Sequence, residues 1–305
     1  MPNRKRVVGA ALMALALVAA ACGSGDGAAD VPDGPTITVA SFNFNESTIM
    51  AELYAQVLEA NGYPVARKLN LGNREVVKPA LESGEIGLVP EYVGTLLNFL
   101  EGTPSADSES TWQAAKAEFE KTGVTLLAYA PAQDKNAYVV TAATAASLGV
   151  SSVSDLQAVA STLVFGGPPE CPEREACLKG LQEVYGLDFS EFKPLDSAGP
   201  LTVAALESGD IDVALLFSTQ GIIEAKGFVV LDDDKGLNPA ENLVPAIRVE
   251  IVDAYGSDLV DLLDALSAKL TTEELTALNR RADVDQDDPA DIARDWLTAN
   301  GFLSS

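Results

Sequence analysis

The sequence predicts an α/β chain of two similar lobes, each an open sheet flanked by helices, with a ligand cleft between them. Three observations point there. Short β-rich runs alternate with helical stretches over most of the chain. One phrase is written twice, as "ALESGEIGLVPEYVGT" from Ala80 to Thr95 and as "ALESGDIDVALLFSTQ" from Ala205 to Gln220. At 305 residues and 47% hydrophobic, the chain can bury one large core or two medium ones.

The first residues read as a leader. Arg4, Lys5 and Arg6 precede a small-apolar run from Val7 to Ala21 that stops at Cys22. A basic segment, an apolar segment and small residues at the cut describe a secretory signal over residues 1–21. The stretch "LVAAACGSG" resembles a bacterial lipobox, in which Cys22 becomes the lipidated first residue of the mature chain. Ala19 departs from that pattern, where Leu is usual, and secretion without a lipid is the other reading. Residues 22–35, "CGSGDGAADVPDGP", carry no apolar period and read as a flexible tether.

From Thr36 the elements follow in order. "TITVASF" is a strand, and the helix after it spans Glu46 to Ala60 and stops at "NGYP". "VARKLNL" is a second strand, Arg74 to Ser83 a second helix capped by Gly84, and Ile86 to Val89 a third strand. Strand "AYVVTA", a helix near Val153 to Ala160, strand "STLVFGG" and a helix from Cys177 to Tyr185 repeat the alternation. "EFKPL", a helix from Pro200 to Ser208 and a strand from Ile211 to Phe217 continue it, and "GFVVLDDD" is a strand and an acidic turn. The C-terminal third is helical, over Gly256–Lys269, Thr272–Arg281 and Asp288–Ala299. Strands spaced by helices in this way predict parallel sheets covered on both faces.

In each copy of the repeated phrase an apolar helix ends at Ser-Gly, one acidic residue follows, and a short buried strand leads to an aromatic, Tyr92 or Phe217. Open α/β sheets bind ligands outside the carboxyl ends of their strands. Two aromatics at that step predict a site clamped between the lobes. The alternative is that each ring plugs the top of its own core.

What is missing bounds the chemistry. The chain has no histidine, which removes Ser-His-Asp and Cys-His catalysis and leaves zinc short of ligands. A glycosidase that needs only carboxylates is compatible with the composition, but nothing in the pattern favours it. The net charge of −25 grows more negative once the basic leader is removed, which disfavours nucleic acid and anionic lipid headgroups as partners. Cys171 and Cys177, in "GGPPECPEREACLKG", read as a disulfide closing a small loop outside the cytoplasm. No cofactor or metal is expected. "DVDQDDPADIAR", from Asp283, has the outline of a calcium loop but puts Asp288 where a glycine is needed and Arg294 where a bidentate glutamate is needed.

Long stretches of the chain resemble a known family. The run "TITVASFNFNESTIMAELYAQVLEANGYPVARKLNLGNREVVKPALESGEIGLVPEYVGTLLNFL", with "FSTQG", "VVLDDDKG" and "DPADIARDWLTANGFL", is similar to the osmoprotectant-type binding proteins of ABC importers. These capture glycine betaine, choline and related quaternary amines. The resemblance implies a type II periplasmic-binding-protein fold, two α/β lobes joined by two crossovers, in an extracytoplasmic lipoprotein that acts as a monomer and docks on a membrane permease. Lobe I would take residues 36–138 and 244–305, and lobe II residues 139–243. A signalling receptor on the same scaffold would use the same lobe-closing switch.

The resemblance also implies site residues. A quaternary ammonium donates no hydrogen bond and is held by aromatic faces, while a carboxylate wants arginine or hydroxyl donors. Tyr92 and Tyr138 match two cage tyrosines, and Phe217 stands where a third is usual. Thr95 matches a threonine that contacts the ligand carboxylate, and Arg174 the arginine that clamps it. Three positions depart from the family pattern. Phe42 replaces a lysine, Glu241 or Asn242 takes the place of the fourth cage tyrosine, and Gln220 replaces an aspartate. These departures shift the expectation from a simple glycine betaine pocket toward a larger or more cationic solute such as choline or a modified betaine. Asn43 and Asn45 read as turn and N-cap residues, with a ligand contact from that helix terminus as the other reading, and Asn136 as a hinge or cleft residue.

Overall fold

The structure, a computed structural model, describes residues 33–304 and builds them on two five-stranded sheets. The leader, the tether up to residue 32 and Cys22 lie outside the described residues. The chain first lays down β1 (Ile37–Phe42), α1 (Asn45–Ala60), β2 (Val65–Gly72), α2 (Arg74–Ser83), β3 (Leu88–Tyr92), α3 (Val93–Phe99), α4 (Ser108–Glu120) and β4 (Val124–Leu126). It then crosses to a second sheet through β5 (Asn136–Thr141), α5 (Ala142–Leu148), β6 (Val164–Gly167), α6 (Leu178–Tyr185), β7 (Glu191–Pro194), α7 (Pro200–Ser208), β8 (Val213–Phe217), α8 (Gly221–Lys226) and β9 (Phe228–Val230). It returns with β10 (Leu243–Arg248), α9 (Val249–Tyr255), α10 (Ser257–Ser267), α11 (Thr272–Asp283) and α12 (Pro289–Ala299).

The sheet orders are β2-β1-β3-β10-β4 and β7-β6-β8-β5-β9. In each, four strands run one way and the fifth, which arrives from the other lobe, runs antiparallel to them, β10 in the first sheet and β5 in the second. The sheets are therefore mixed, where the alternation predicted parallel ones. A strand delivered by a crossover enters from the cleft side, opposite in direction to strands that end there. Its sequence hides this, because "LVPAIR" carries a proline that argues against a central strand. The stretch from Val153 to Ala160, expected as a helix, forms short 3₁₀ turns instead.

The repeated phrase is a repeated structure. α2 and α7 each end on a left-handed glycine, Gly84 (φ 82°) and Gly209 (φ 75°). Each then feeds a buried strand, β3 or β8, whose last residue is Tyr92 or Phe217. Those two residues pair with the first residues of the incoming strands, Tyr92 with Leu243 and Phe217 with Asn136. β5 begins at Asn136, so residues 136–138, placed with lobe I by the resemblance, belong to the second sheet. Leu243, placed with lobe II, belongs to the first.

The crossovers run side by side. Gln133 and Asn242 bridge them in antiparallel fashion, the Asp134 amide donates to the Glu241 carbonyl at 3.0 Å, and the Leu243 amide donates to the Ala132 carbonyl at 3.1 Å. The first lobe packs one core, which includes Ile37, Tyr54, Leu88 and Trp296. The second packs one cluster on each face of its sheet, around Tyr138 and Phe165 on one side and Leu216 on the other. Trp112 is only partly buried, packed against the first core with its indole N–H on the Leu127 carbonyl.

Candidate functional site

A cavity of about 140 Å³ lies between the lobes, where the carboxyl ends of β1, β3 and β8 converge. An engineered cavity of about 150 Å³ holds benzene, so this space suits a solute of choline or betaine size. Its apolar wall is aromatic. Phe42 ends β1, Phe44 caps α1, Tyr92 ends β3, and Phe217 reaches in from the second lobe. Phe44 is the centre, with ring centroids 6.0 Å from Phe42, 6.1 Å from Tyr92 and 5.0 Å from Phe217. Such rings present negative faces to a cation.

Behind the wall sits a buried polar hub. The Tyr92 hydroxyl donates to Glu46 Oε1 at 2.6 Å, and Thr219 Oγ1 and Asn279 Nδ2 donate to Oε2. Burial pushes the Glu46 carboxyl above its ordinary value, and these three donors pull against it. Burial, then the neighbouring Glu46, drives the Tyr92 phenol well up. Asp134, on the first crossover, lines the cavity and accepts from Ser218 Oγ at 3.2 Å and the Thr219 amide at 3.1 Å. Its carboxyl is raised well above the usual range, by burial first and Glu46 second.

The charged wall holds two arginines. Arg74, the first residue of α2, grips Glu91 through Nε to Oε1 at 3.0 Å and Nη2 to Oε2 at 2.8 Å, and donates to Thr95 Oγ1 at 3.1 Å. Its guanidinium lies 5.5 Å from the Phe42 ring centroid. Burial would lower its pKa, but the pairing with Glu91 wins and raises it. Arg174 comes from the second lobe, on a loop braced by the Cys171–Cys177 disulfide, whose Cα atoms are 5.2 Å apart. It reaches across the cleft to Glu75 Oε1 at 2.6 Å and lies 4.9 Å over the Phe99 ring. Burial, then the charge of Arg74, lowers its pKa.

Glu241, on the second crossover, completes the lining. It is 2% exposed, its Oε2 faces Thr95 Oγ1 at 3.5 Å, and its Oε1 has no hydrogen-bond partner. Burial pushes its carboxyl up to about 8, against the pull of Arg74. Gly94 makes room for it. A Cβ there would stand 2.5 Å from the Ala240 carbonyl and 3.0 Å from Glu241 Oε1. Among the described residues, no group of three or more His, Cys, Asp or Glu side chains is placed to hold a metal ion.

The sequence profile of the substrate binding domain of the ABC-type glycine betaine transport system matches residues 35–299. The chain belongs to that family. It is 28% identical over 290 residues to a glycine-betaine-binding protein of Pseudomonas aeruginosa, covering 90% of this chain and 91% of that one. It is 26% identical over 273 residues to the glycine betaine-binding protein YehZ of Escherichia coli, covering 84% and 88%. Among solved structures, a glycine betaine/carnitine/choline ABC transporter protein matches with a TM-score of 0.69 at 26% identity, covering 87% of this chain and 99% of that one. Apo YehZ matches with a TM-score of 0.62 at 25% identity, covering 88% and 100%. The two-lobed binding-protein fold expected from the resemblance is the one found.

Within this family chain the expected site residues divide. Tyr92, Phe217, Thr95, Arg174, Phe42, Asn43, Asn136 and Glu241 all line the cavity. Tyr138 does not. It lies two residues into β5 from Asn136, on the same face, which carries its ring about 6.7 Å deeper into the second core. There it is 1% exposed and donates to the Ala176 carbonyl at 3.1 Å. Asn242 lies outside the lining, on the second crossover, with its Nδ2 on the Ala130 carbonyl at 2.9 Å. Gln220 lines a neighbouring cavity behind Phe44. Its Oε1 accepts from the Phe217 amide at 3.1 Å and its Nε2 donates to the Ala198 carbonyl at 2.8 Å, which fixes the end of β8. Asn45 donates to Asp283 Oδ1 at 3.0 Å, away from the wall. Phe44, Arg74, Glu46 and Asp134 were not expected. The signal for Phe44 was present, since a residue just before a helix that starts at a strand end points into the same crevice as its neighbours.

Proposed function

We propose that this chain is the solute receptor of an ABC importer outside the cytoplasmic membrane and that it captures a quaternary amine such as glycine betaine, choline or a related solute. The observation that carries the reading is the aromatic wall of Phe42, Phe44, Tyr92 and Phe217 around a cavity between the lobes of a family chain. The relatives named above bind glycine betaine by their names, and a further relative in Listeria monocytogenes is named a carnitine transport binding protein. Ligand binds the closed form better than the open form and shifts the population, and the closed form docks on a permease. The mature chain begins at Cys22, whose lipid holds it at the membrane; no helix among the described residues is long and apolar enough to cross one. It works as a monomer and binds its solute without covalent chemistry.

Calorimetry on the mature domain, unfolded and refolded to strip carried ligand, tests this against glycine betaine, choline, carnitine and proline betaine. Saturable one-to-one binding of at least one of them is expected. A folded protein that binds none overturns the reading.

A further inference from the structure

Tyr138 is absent from the cavity lining, and its hydroxyl has other work. Tyr138 and Asn136, both on β5, donate to one acceptor, the Ala176 carbonyl, at 3.1 and 2.6 Å. Burial drives the Tyr138 phenol well above its ordinary value, so the hydroxyl keeps its proton and stays a donor. Two donors from one strand fix both the position and the direction of that carbonyl. β5 is also the strand that enters the second lobe straight from the first crossover.

Ala176 belongs to the disulfide loop, which has little freedom left. The disulfide closes the loop between Cys171 and Cys177, both buried. Inside the ring the Arg174 amide donates to the Cys171 carbonyl and the Cys177 amide to the Arg174 carbonyl, each at 3.1 Å. Gly180 lets α6 lie against the loop, since a Cβ there would run into the Glu175 carbonyl. From this frame Arg174 projects to the other lobe. Its guanidinium meets Glu75 on α2 at 2.6 Å and lies 4.9 Å from the ring centroid of Phe99, the last residue of α3. A mobile arginine gains little from such a half-exposed pair, because ordering it costs much of what the pair returns. A backbone already held in place removes part of that cost.

We infer that the loop from Cys171 to Cys177 is a clasp that holds the unliganded lobes together, and that Tyr138 is its positioning residue, acting through the Ala176 carbonyl on the reach of Arg174. The ring of Tyr138 fills the second core, and its hydroxyl sets the clasp. The clasp is independent of which solute enters the cleft.

Distances between dyes on the two lobes of the unliganded mature domain give the ratio of closed to open molecules. They are read in wild type, Tyr138→Phe, Arg174→Ala and the double variant, with thermal melts to show that each is folded. Tyr138→Phe keeps the ring and leaves Ala176 its bond from Asn136, so no buried carbonyl is stranded. It is expected to lower the closed-to-open ratio about three- to fivefold in wild type, and to change it less than about 1.5-fold in the Arg174→Ala background. A residue that only stabilises the second lobe acts equally in both backgrounds, and that result overturns the role given to Tyr138. So does an unchanged ratio in the single variant. Asn136→Ala removes the other donor to the same carbonyl and repeats the cycle if Tyr138→Phe does not fold. Equal ratios in wild type and Arg174→Ala, or an unliganded wild type that is never closed, overturn the clasp itself. Each of these results leaves the quaternary-amine reading standing, because ligand binding tests that separately.

Discussion

Tyr92 donates its phenolic proton to Glu46 at 2.6 Å, and both groups are buried. One side chain thus serves two purposes, its ring as cleft wall and its hydroxyl as a partner for a carboxylate that also receives Thr219 from the second lobe. Two variants separate these. Tyr92→Phe keeps the ring and removes one donor from Glu46, so it is expected to cost about 1–3 kcal/mol of stability and leave ligand affinity nearly unchanged. Tyr92→Ala removes a cation-binding face worth about 0.5–2 kcal/mol, and is expected to weaken binding about 2- to 30-fold in a protein that still folds. Urea melts and calorimetry on both variants check the split.

Glu46, Asp134 and Glu241 are all harder to ionise in the folded chain than in the unfolded one, because burial penalises the anion. Folding therefore holds protons that the unfolded chain releases. For Glu241 the contribution is complete below the ordinary value of 4.5 and is lost as pH rises through about 8. The ligand-free protein is expected to lose stability from pH 5 to pH 8.5, and Glu241→Gln to flatten that slope. Urea midpoints across the range measure it. A slope of the opposite sign, or an unchanged one in the variant, contradicts the assignment.

Gly94 lets the start of α3 lie against the second crossover. A methyl group there meets the Ala240 carbonyl and the Pro239 ring at 2.5 Å. Gly94→Ala is expected to cost about 1–3 kcal/mol by overpacking and to weaken ligand binding by displacing Glu241. Thermal melts with and without ligand test both effects.

The pair between Arg174 and Glu75 spans the cleft with 2.6 Å between charged atoms. Glu75 is half exposed, so water screens the pair and its worth is at most about 1 kcal/mol. Glu75→Ala is expected to shift the unliganded protein toward the open form by up to about fivefold. Distance measurements between dyes on the two lobes read this shift. An unchanged distribution means the pair does not hold the lobes together.

The fold was legible because the phrase that repeats in sequence repeats in structure. Gly84 and Gly209 announce the helix ends, and the strands after them deliver Tyr92 and Phe217 to the crevice. β10 was hidden by Pro245, and α3 by its start at Tyr92, which makes no capping hydrogen bond. At the site, residue type without depth misplaced Tyr138. Strand periodicity gives the face on which a side chain lies but not how far along the strand the cleft begins. The role of Arg74 is not legible in the sequence because its partner Glu91 comes from another element, and no spacing rule links the first residue of α2 to the next-to-last residue of β3.

The proposed function places a quaternary nitrogen in the aromatic cavity. A crystal structure of the mature domain with choline tests it most directly. The nitrogen is expected within about 6 Å of the ring centroids of Phe44, Tyr92 and Phe217, with the lobes closed over it. Choline bound instead in the neighbouring chamber behind Phe44, or outside the cleft, would contradict it.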